Sequence, residues 1–74
     1  MKKRDVIIGA FLSLFSIGED NITKGDIFKA AKSKDKNISE ATVGWVIYLF
    51  LEKMGYIIKT GKGKNGENLY KRMK

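Results

Sequence analysis

The chain is 74 residues long, has a formal net charge of +7 and contains neither cysteine nor histidine. That length suits one domain over 1–74, and the missing residue types exclude disulfides, zinc sites built on Cys and His, and Ser-His or Cys-His nucleophile pairs. A hydrophobic content of 43% is too high for a disordered chain, and no apolar run reaches the roughly 20 residues of a membrane-spanning helix. We therefore expect a small basic binding domain with no catalytic residue, no metal and no cofactor.

The first predicted element is a helix over 5–17, capped by Asp5 and ended by Gly18. Apolar residues cover most of its circumference and leave only a stripe of small residues. A helix that is apolar nearly all round needs cover on nearly all sides, which one domain of this size cannot supply. The sequence therefore predicts a homodimer with this helix in the interface, through Ile8, Gly9, Leu12, Ser13 and Ser16.

The same N-terminal segment also resembles a short secretory signal peptide, because Met1-Lys-Lys-Arg precedes the apolar run 6–18. Asp5 interrupts the boundary between the basic and apolar parts. Cleavage would also remove the segment that completes the core. We therefore expect the uncleaved chain in the cytoplasm.

Two further helices begin with capping signals. Thr23 caps a helix predicted over 23–33, in which Asp26 occupies the capping-box position. Ser39 caps a helix predicted over 39–54. One face of this third helix is expected to pack on the other two helices, with Val43, Val46, Ile47, Phe50 and Met54 inside and Leu51 at the edge. The opposite face carries Ala41, Thr42, Trp45, Tyr48, Leu49 and Glu52.

Beyond Gly55 the hydrophobic period changes to about two residues, which predicts a β-hairpin over 56–73. Its tip, GKGKNGE, supplies the Gly and Asn residues that tolerate positive φ angles. Lys62 and Lys64 project from this tip. Residues 21–22 are placed to add a short third strand at the edge of the hairpin.

Positive charge is concentrated in the C-terminal third of the chain. Residues 1–52 carry eight basic and seven acidic side chains, whereas residues 53–74 carry seven basic side chains and one acidic side chain, Glu67. A localised excess of this kind indicates a surface that binds a polyanion. A solvated surface without a target is the alternative.

The order helix, extended piece, helix, turn, helix and basic hairpin resembles the winged helix-turn-helix family of DNA-binding domains, including small regulators encoded by viruses and plasmids. The matching segments are ITKGDIFKAAK, ISEATVGWVIYLFLEKMGYI and KTGKGKNGENLY, and with the leading helix they cover almost the whole chain. LEKMGYI looks like the Leu-Glu-x-x-Gly-apolar-apolar exit of many winged-helix regulators. Two features depart from the family pattern. The spacing from Val43 to LEKMG is one residue longer than in many members, and Trp45 and Tyr48 stand where Arg, Gln or Asn is usual.

The resemblance implies an α+β winged-helix fold, with a three-helix core containing the helix-turn-helix and a C-terminal hairpin wing. It also implies sequence-selective binding of double-stranded DNA by a homodimeric transcriptional regulator. Helix 39–54 would lie in the major groove, and the basic wing 59–66 would lie on the backbone or in the minor groove. The DNA-binding residues expected on this basis are Ser39, Glu40, Ala41, Thr42, Trp45, Tyr48, Lys59, Lys62, Lys64, Asn65, Lys34 and Lys36. Lys24, Lys29 and Lys32 are placed to contact phosphates beside the motif.

Several alternatives stay open. Glu40 would accept a bond from a cytosine amino group or simply complement the helix dipole. Trp45 and Tyr48 would contact DNA, the wing or another subunit. The whole chain would also suit a non-specific architectural or replication DNA-binding protein, or a winged-helix protein-interaction module that docks through Trp45, Tyr48 and Leu49. A membrane-surface protein is a further alternative. An enzyme is not expected, since GKGKNG lacks both the Walker spacing and a following helix.

Overall fold

A computed structural model describes residues 2–74, so Met1 of the signal-peptide-like segment lies outside the described residues. Three helices precede two antiparallel strands, and the bounds are α1 Lys3–Leu14, α2 Lys24–Lys34, α3 Glu40–Val46, β1 Ile57–Lys62 and β2 Asn68–Arg72. A π-helical segment, Ile47–Glu52, continues α3. The fold is α+β, with three helices followed by a hairpin, which is the layout of a winged helix.

Helix α1 begins two residues earlier and ends three residues earlier than predicted. Asp5 lies in the first turn and complements the helix dipole, whereas the cap position belongs to Lys2, whose side chain makes no capping bond. The helix ends at Phe15, whose backbone is extended, and Gly18 adopts its φ of +87° in the loop that follows. The prediction that Asp5 and Gly18 bound the helix was therefore wrong. The C-terminal end is instead fixed by a distant side chain, Arg72, which binds the carbonyl oxygens of Leu12 and Phe15.

Both predicted caps of the helix-turn-helix are confirmed. The backbone N–H of Asp26 donates to Thr23 Oγ1 at 3.1 Å, and the N–H of Thr23 donates to Asp26 Oδ2 at 3.0 Å. Asp26 thus completes a reciprocal capping box although the motif prefers Glu or Gln. At the start of α3, the N–H of Thr42 donates to Ser39 Oγ at 3.2 Å. These local bonds fix where α2 and α3 begin.

The third helix differs from the regular helix predicted over 39–54. After Val46 the chain adopts π-helical geometry, in which each backbone hydrogen bond spans one more residue than in an α-helix. The extra residue rotates the last turn, so Leu51 is fully buried, Phe50 is only partly buried and Met54 is 55% exposed. The prediction that Met54 packs in the core was therefore wrong.

The core joins all three helices to the hairpin. Its buried members are Ile7, Phe11, Ile22, Ile27, Ala31, Ile38, Val43, Val46, Ile47, Leu51, Ile57 and Tyr70. Helix α1 supplies two of the largest buried side chains, so it belongs to the core, as expected. Its other side is left open, since Leu12 and Leu14 are 36% and 53% exposed.

An ion pair ties the start of α1 to the turn between α2 and α3. The Lys3 ammonium group donates to Asp35 Oδ2 at 2.7 Å. The hydrogen bond from Lys3, together with one from the backbone N–H of Asn37, holds the pKa of the Asp35 carboxyl below its ordinary value. Both carboxylate oxygens therefore have partners that favour the charged form.

The hairpin is held at its base by a third piece of chain. Ile57 stands opposite Arg72 and Lys59 opposite Tyr70, with a bulge between Lys59 and Gly61. Ile22 exchanges both backbone hydrogen bonds with Tyr70, at 2.9 and 2.8 Å. The predicted third-strand contact is thus confirmed as a single β-bridge, and it anchors the hairpin to the loop before α2. Within residues 2–74, no helix combines the length and apolar character needed to cross a membrane.

Candidate nucleic-acid interface

The side of the third helix that faces away from the core carries exposed apolar groups. We call Ala41, Thr42, Trp45, Tyr48 and Leu49 the outer face. Trp45 is 63%, Tyr48 59% and Leu49 39% exposed. Tyr48 and Leu49 stand three and four positions after Trp45, so each is a neighbour of Trp45 on the helix surface. Within the single chain, neither the wing nor α1 covers the two aromatic rings, so a wing-packing role does not account for them.

Two hydroxyl groups lie at the start of this face. Ser39 Oγ and Thr42 Oγ1 are 2.8 Å apart, and Ser39 Oγ also accepts the capping bond from the Thr42 N–H. One hydroxyl hydrogen is used between the two oxygens, which leaves the other free to donate to a phosphate or a base edge. Ser39 and Thr42, both predicted to contact DNA, therefore lie together, and one of their two hydroxyl hydrogens remains free to donate.

Glu40 has a partner within the chain. Its carboxylate lies 4.0 Å from the Lys24 ammonium group, and both side chains are largely exposed. Lys24 also lies over α3, because its Nζ is only 3.2 Å from where a Cβ on Gly44 would stand. The interpretation of Glu40 as a first-turn charge next to a lysine agrees with this geometry.

A cleft of about 270 Å³ lies between α3 and strand β2 of the hairpin. Its lining residues come from α2, the third helix and β2: Lys24, Gly44, Ile47, Tyr48, Glu52, Asn68 and Tyr70. The amide nitrogen of Asn68 donates to the Tyr70 hydroxyl at 3.2 Å on one wall of this cleft. Asn68 and Tyr70 were absent from the predicted DNA-binding residues. The β-bridge from Tyr70 to Ile22, which places β2 against this region, is a tertiary contact that periodicity alone does not reveal.

The wing presents unpaired positive charge. Lys59, Lys62, Lys64 and Asn65 are all exposed. Within residues 2–74, the ammonium groups of Lys59, Lys62 and Lys64 form no ion pair with a carboxylate. The nearby acidic residue, Glu67, is turned back into the tip, where Oε2 accepts from the N–H of Asn65 at 3.1 Å.

Two further lysines were predicted to bind DNA, Lys34 at the end of α2 and Lys36 in the turn after it. Lys34 lines a groove of about 330 Å³ along α1, together with Asp5, Gly9 and Ser13. Lys36 is exposed in the turn that leads to α3. The structure thus groups Lys34 with the predicted dimer interface and not with the outer face.

That groove contains two of the five predicted interface residues, Gly9 and Ser13. Gly9 faces open space, and the Ser13 hydroxyl donates to the Gly9 carbonyl at 2.9 Å. Leu12 is partly exposed beside it, and Ile8 packs partly against the core. Ser16 does not continue the stripe, since it lies beyond the end of α1, where its N–H donates to Glu19 Oε1 at 2.9 Å.

The two arginines differ, because Arg72 is buried whereas the Arg4 side chain is 41% exposed. Arg72 is 9% exposed; its guanidinium group donates to the carbonyls of Lys74, Leu12 and Phe15 and stacks 5.5 Å from the Phe11 ring. Arg4 lies 5.0 Å from the Phe50 ring and 3.4 Å from the Asp5 carboxylate. The two-residue period of side chains along β2 indicates that Arg72 is buried, because Arg72 lies on the same side of the strand as the buried Tyr70.

No protein-family model matches the chain, and a search of curated proteins found no match. Among the described residues, no group of three or more His, Cys, Asp or Glu side chains is placed to hold a metal ion.

Proposed function

We propose that this protein binds double-stranded DNA with sequence selectivity and regulates transcription in the cytoplasm as a homodimer. In this proposal α3 enters the major groove, and the wing lies on the adjacent backbone or in the minor groove. One arrangement carries the proposal: the exposed outer face stands across a cleft from a hairpin with unpaired lysines.

The wing supplies affinity in this account. An ammonium group without a carboxylate partner can neutralise a phosphate and release its counterions. Lys59, Lys62 and Lys64 are exposed and unpaired within the described residues. Such contacts fix the position of the protein on the duplex, whereas the groups on α3 choose the sequence.

The groove on α1 supports the homodimer. Gly9 allows a second backbone to approach closely, and the Ser13 hydroxyl is already satisfied by the Gly9 carbonyl, so its burial costs little. A two-fold axis there would place two α3 helices on successive major grooves, about 34 Å apart.

Selection from a library of random duplexes tests the proposed function. We expect enrichment of a site with two related half-sites about 10 base pairs apart. The variant Thr42→Ala should change the enriched half-site, because it removes one hydroxyl from the start of α3. Binding without any enrichment would contradict sequence selectivity and favour the architectural or replication alternative.

A second candidate function is a protein-interaction module. The observation that favours it is the exposure of Trp45, Tyr48 and Leu49, since aromatic residues are enriched in protein interfaces. In that case Trp45→Ala would remove a protein partner while leaving the affinity for DNA unchanged.

A further inference from the structure

The outer face of α3 lacks the side chains that read guanine and adenine by paired hydrogen bonds. Arg and Lys contact guanine in this way, and Asn and Gln contact adenine. No Lys or Arg occurs between Lys36 and Lys53, and no Asn or Gln occurs between Asn37 and Asn65. The whole of α3 and the π-helical segment is therefore without these residue types.

The arginines of the chain do not fill this gap. The guanidinium group of Arg72 is bound to the carbonyls at the end of α1, and Arg4 is held between Phe50 and Asp5. Glu40, which could accept from cytosine, lies beside the Lys24 ammonium group. Arg72 is thus engaged within the fold, Arg4 belongs to α1, and the Glu40 carboxylate has a positive charge beside it.

What the outer face does offer is apolar surface. Ala41 carries a methyl group, Thr42 carries a methyl group beside its hydroxyl, and Trp45, Tyr48 and Leu49 present exposed rings and a branched side chain. In the major groove, the base feature that apolar side chains contact is the C5-methyl group of thymine. A G·C pair presents no such group.

We propose that the outer face recognises the C5-methyl groups of thymine, so that the preferred ligand is duplex DNA rich in A·T pairs. This inference rests on the proposed function, because it assigns the base contacts of the same helix. Trp45, Tyr48 and Leu49 are specificity-determining residues in this account. The wing lysines contribute to affinity for every duplex alike.

Four duplexes of about 24 base pairs separate the methyl group from the rest of the base pair. Alternating A·T DNA is compared with the same duplex in which deoxyuridine replaces thymidine, which removes only the methyl groups. Alternating G·C DNA is compared with the same duplex containing 5-methylcytosine, which adds a methyl group at the equivalent place in the groove. Affinities are measured by fluorescence anisotropy at one fixed salt concentration.

We expect the methylated duplex of each pair to bind more tightly, by about fourfold for each methyl group that the protein buries. Trp45→Ala combined with Leu49→Ala should reduce both ratios. These side chains are exposed, so the variants should fold, and circular dichroism checks this. The matched control, Lys62→Ala with Lys64→Ala, should weaken binding to all four duplexes and leave both ratios unchanged.

The outcomes separate the two proposals. Equal binding within each pair would overturn methyl recognition and leave DNA binding intact. Ratios that persist in the Trp45→Ala, Leu49→Ala variant would remove the outer face from methyl recognition. No binding to any of the four duplexes at low salt would overturn the proposed function itself.

Discussion

Arg72 joins the base of the hairpin to α1, and replacing it with Met tests that connection. The guanidinium group is almost fully buried and donates to the carbonyls of Leu12 and Phe15 at the end of α1, and to that of Lys74. Met retains most of the apolar stem but provides no donor. The variant therefore leaves two carbonyls of the last helical turn without their partner.

The size of the effect follows from these bonds. A hydrogen bond from a charged donor contributes about 1.5–3 kcal/mol. Because Leu12 is 36% exposed, water can replace part of the hydrogen bonding that the Arg72 guanidinium group supplies at that end of the helix. We expect the free energy of unfolding to fall by about 3 kcal/mol, out of about 4–11 kcal/mol for a chain of this length. The melting temperature should fall by about 12 °C or more.

Urea unfolding followed by circular dichroism measures the change, with Lys71→Met as the matched control. Lys71 is the preceding residue of β2, and its loss alters the net charge equally. We expect Lys71→Met to change the free energy by less than about 0.5 kcal/mol. If Arg72→Met unfolds at the same urea concentration as Lys71→Met, the guanidinium group does not hold α1 to the hairpin.

Three further variants test other parts of the structure. Asp35→Asn should lower the free energy of unfolding at neutral pH and match the wild type in acid. The pKa of Asp35 is lower in the folded than in the unfolded protein, so its ionised carboxylate stabilises the fold above about pH 4. This stabilisation is lost as the pH falls through the folded-state pKa. Urea midpoints from pH 2 to 7 measure this, and a pH-independent difference would contradict it. Deleting Leu49 should return the π-helical segment to α-helical geometry and preserve cooperative unfolding. Deleting Ala30 from the regular helix α2 should abolish cooperative unfolding. If both deletions abolish cooperative unfolding, the π-helical segment does not tolerate the loss of a residue. If the protein is the proposed homodimer, Ser13→Arg should convert it to a monomer in sedimentation experiments while Thr60→Arg, in the wing, should not; a Ser13→Arg dimer would exclude the α1 groove as the interface.

The parts of the fold that could be predicted from the sequence are those fixed by local chemistry. Thr23 with Asp26, and Ser39, satisfy backbone donors within the next three residues, so the starts of α2 and α3 follow from spacing alone. The hairpin follows from alternation and from the turn residues at its tip.

The parts that were not predicted depend on contacts between distant residues. The sequence predicted that Gly18 ends α1. The end of α1 is instead fixed by Arg72, about 60 residues further along the chain. The π-helical segment, with Val43 buried before it and Leu51 buried within it, is not revealed by a periodicity read at a fixed angle per residue. Within the candidate site, the outer face was predicted as a set, but the cleft with Asn68 and Tyr70 required the β-bridge to Ile22.

The central claim is that the wing and α3 bind DNA. Fluorescence anisotropy on a labelled random-sequence duplex, titrated at two salt concentrations, tests this most directly when the wild type is compared with Lys62→Ala, Lys64→Ala. We predict that wild-type affinity falls steeply with salt and that the variant binds more weakly, with a salt slope shallower by about two because two phosphate contacts are lost. No wild-type binding at low salt would contradict the claim, and an unchanged slope in the variant would exclude the wing from the interface.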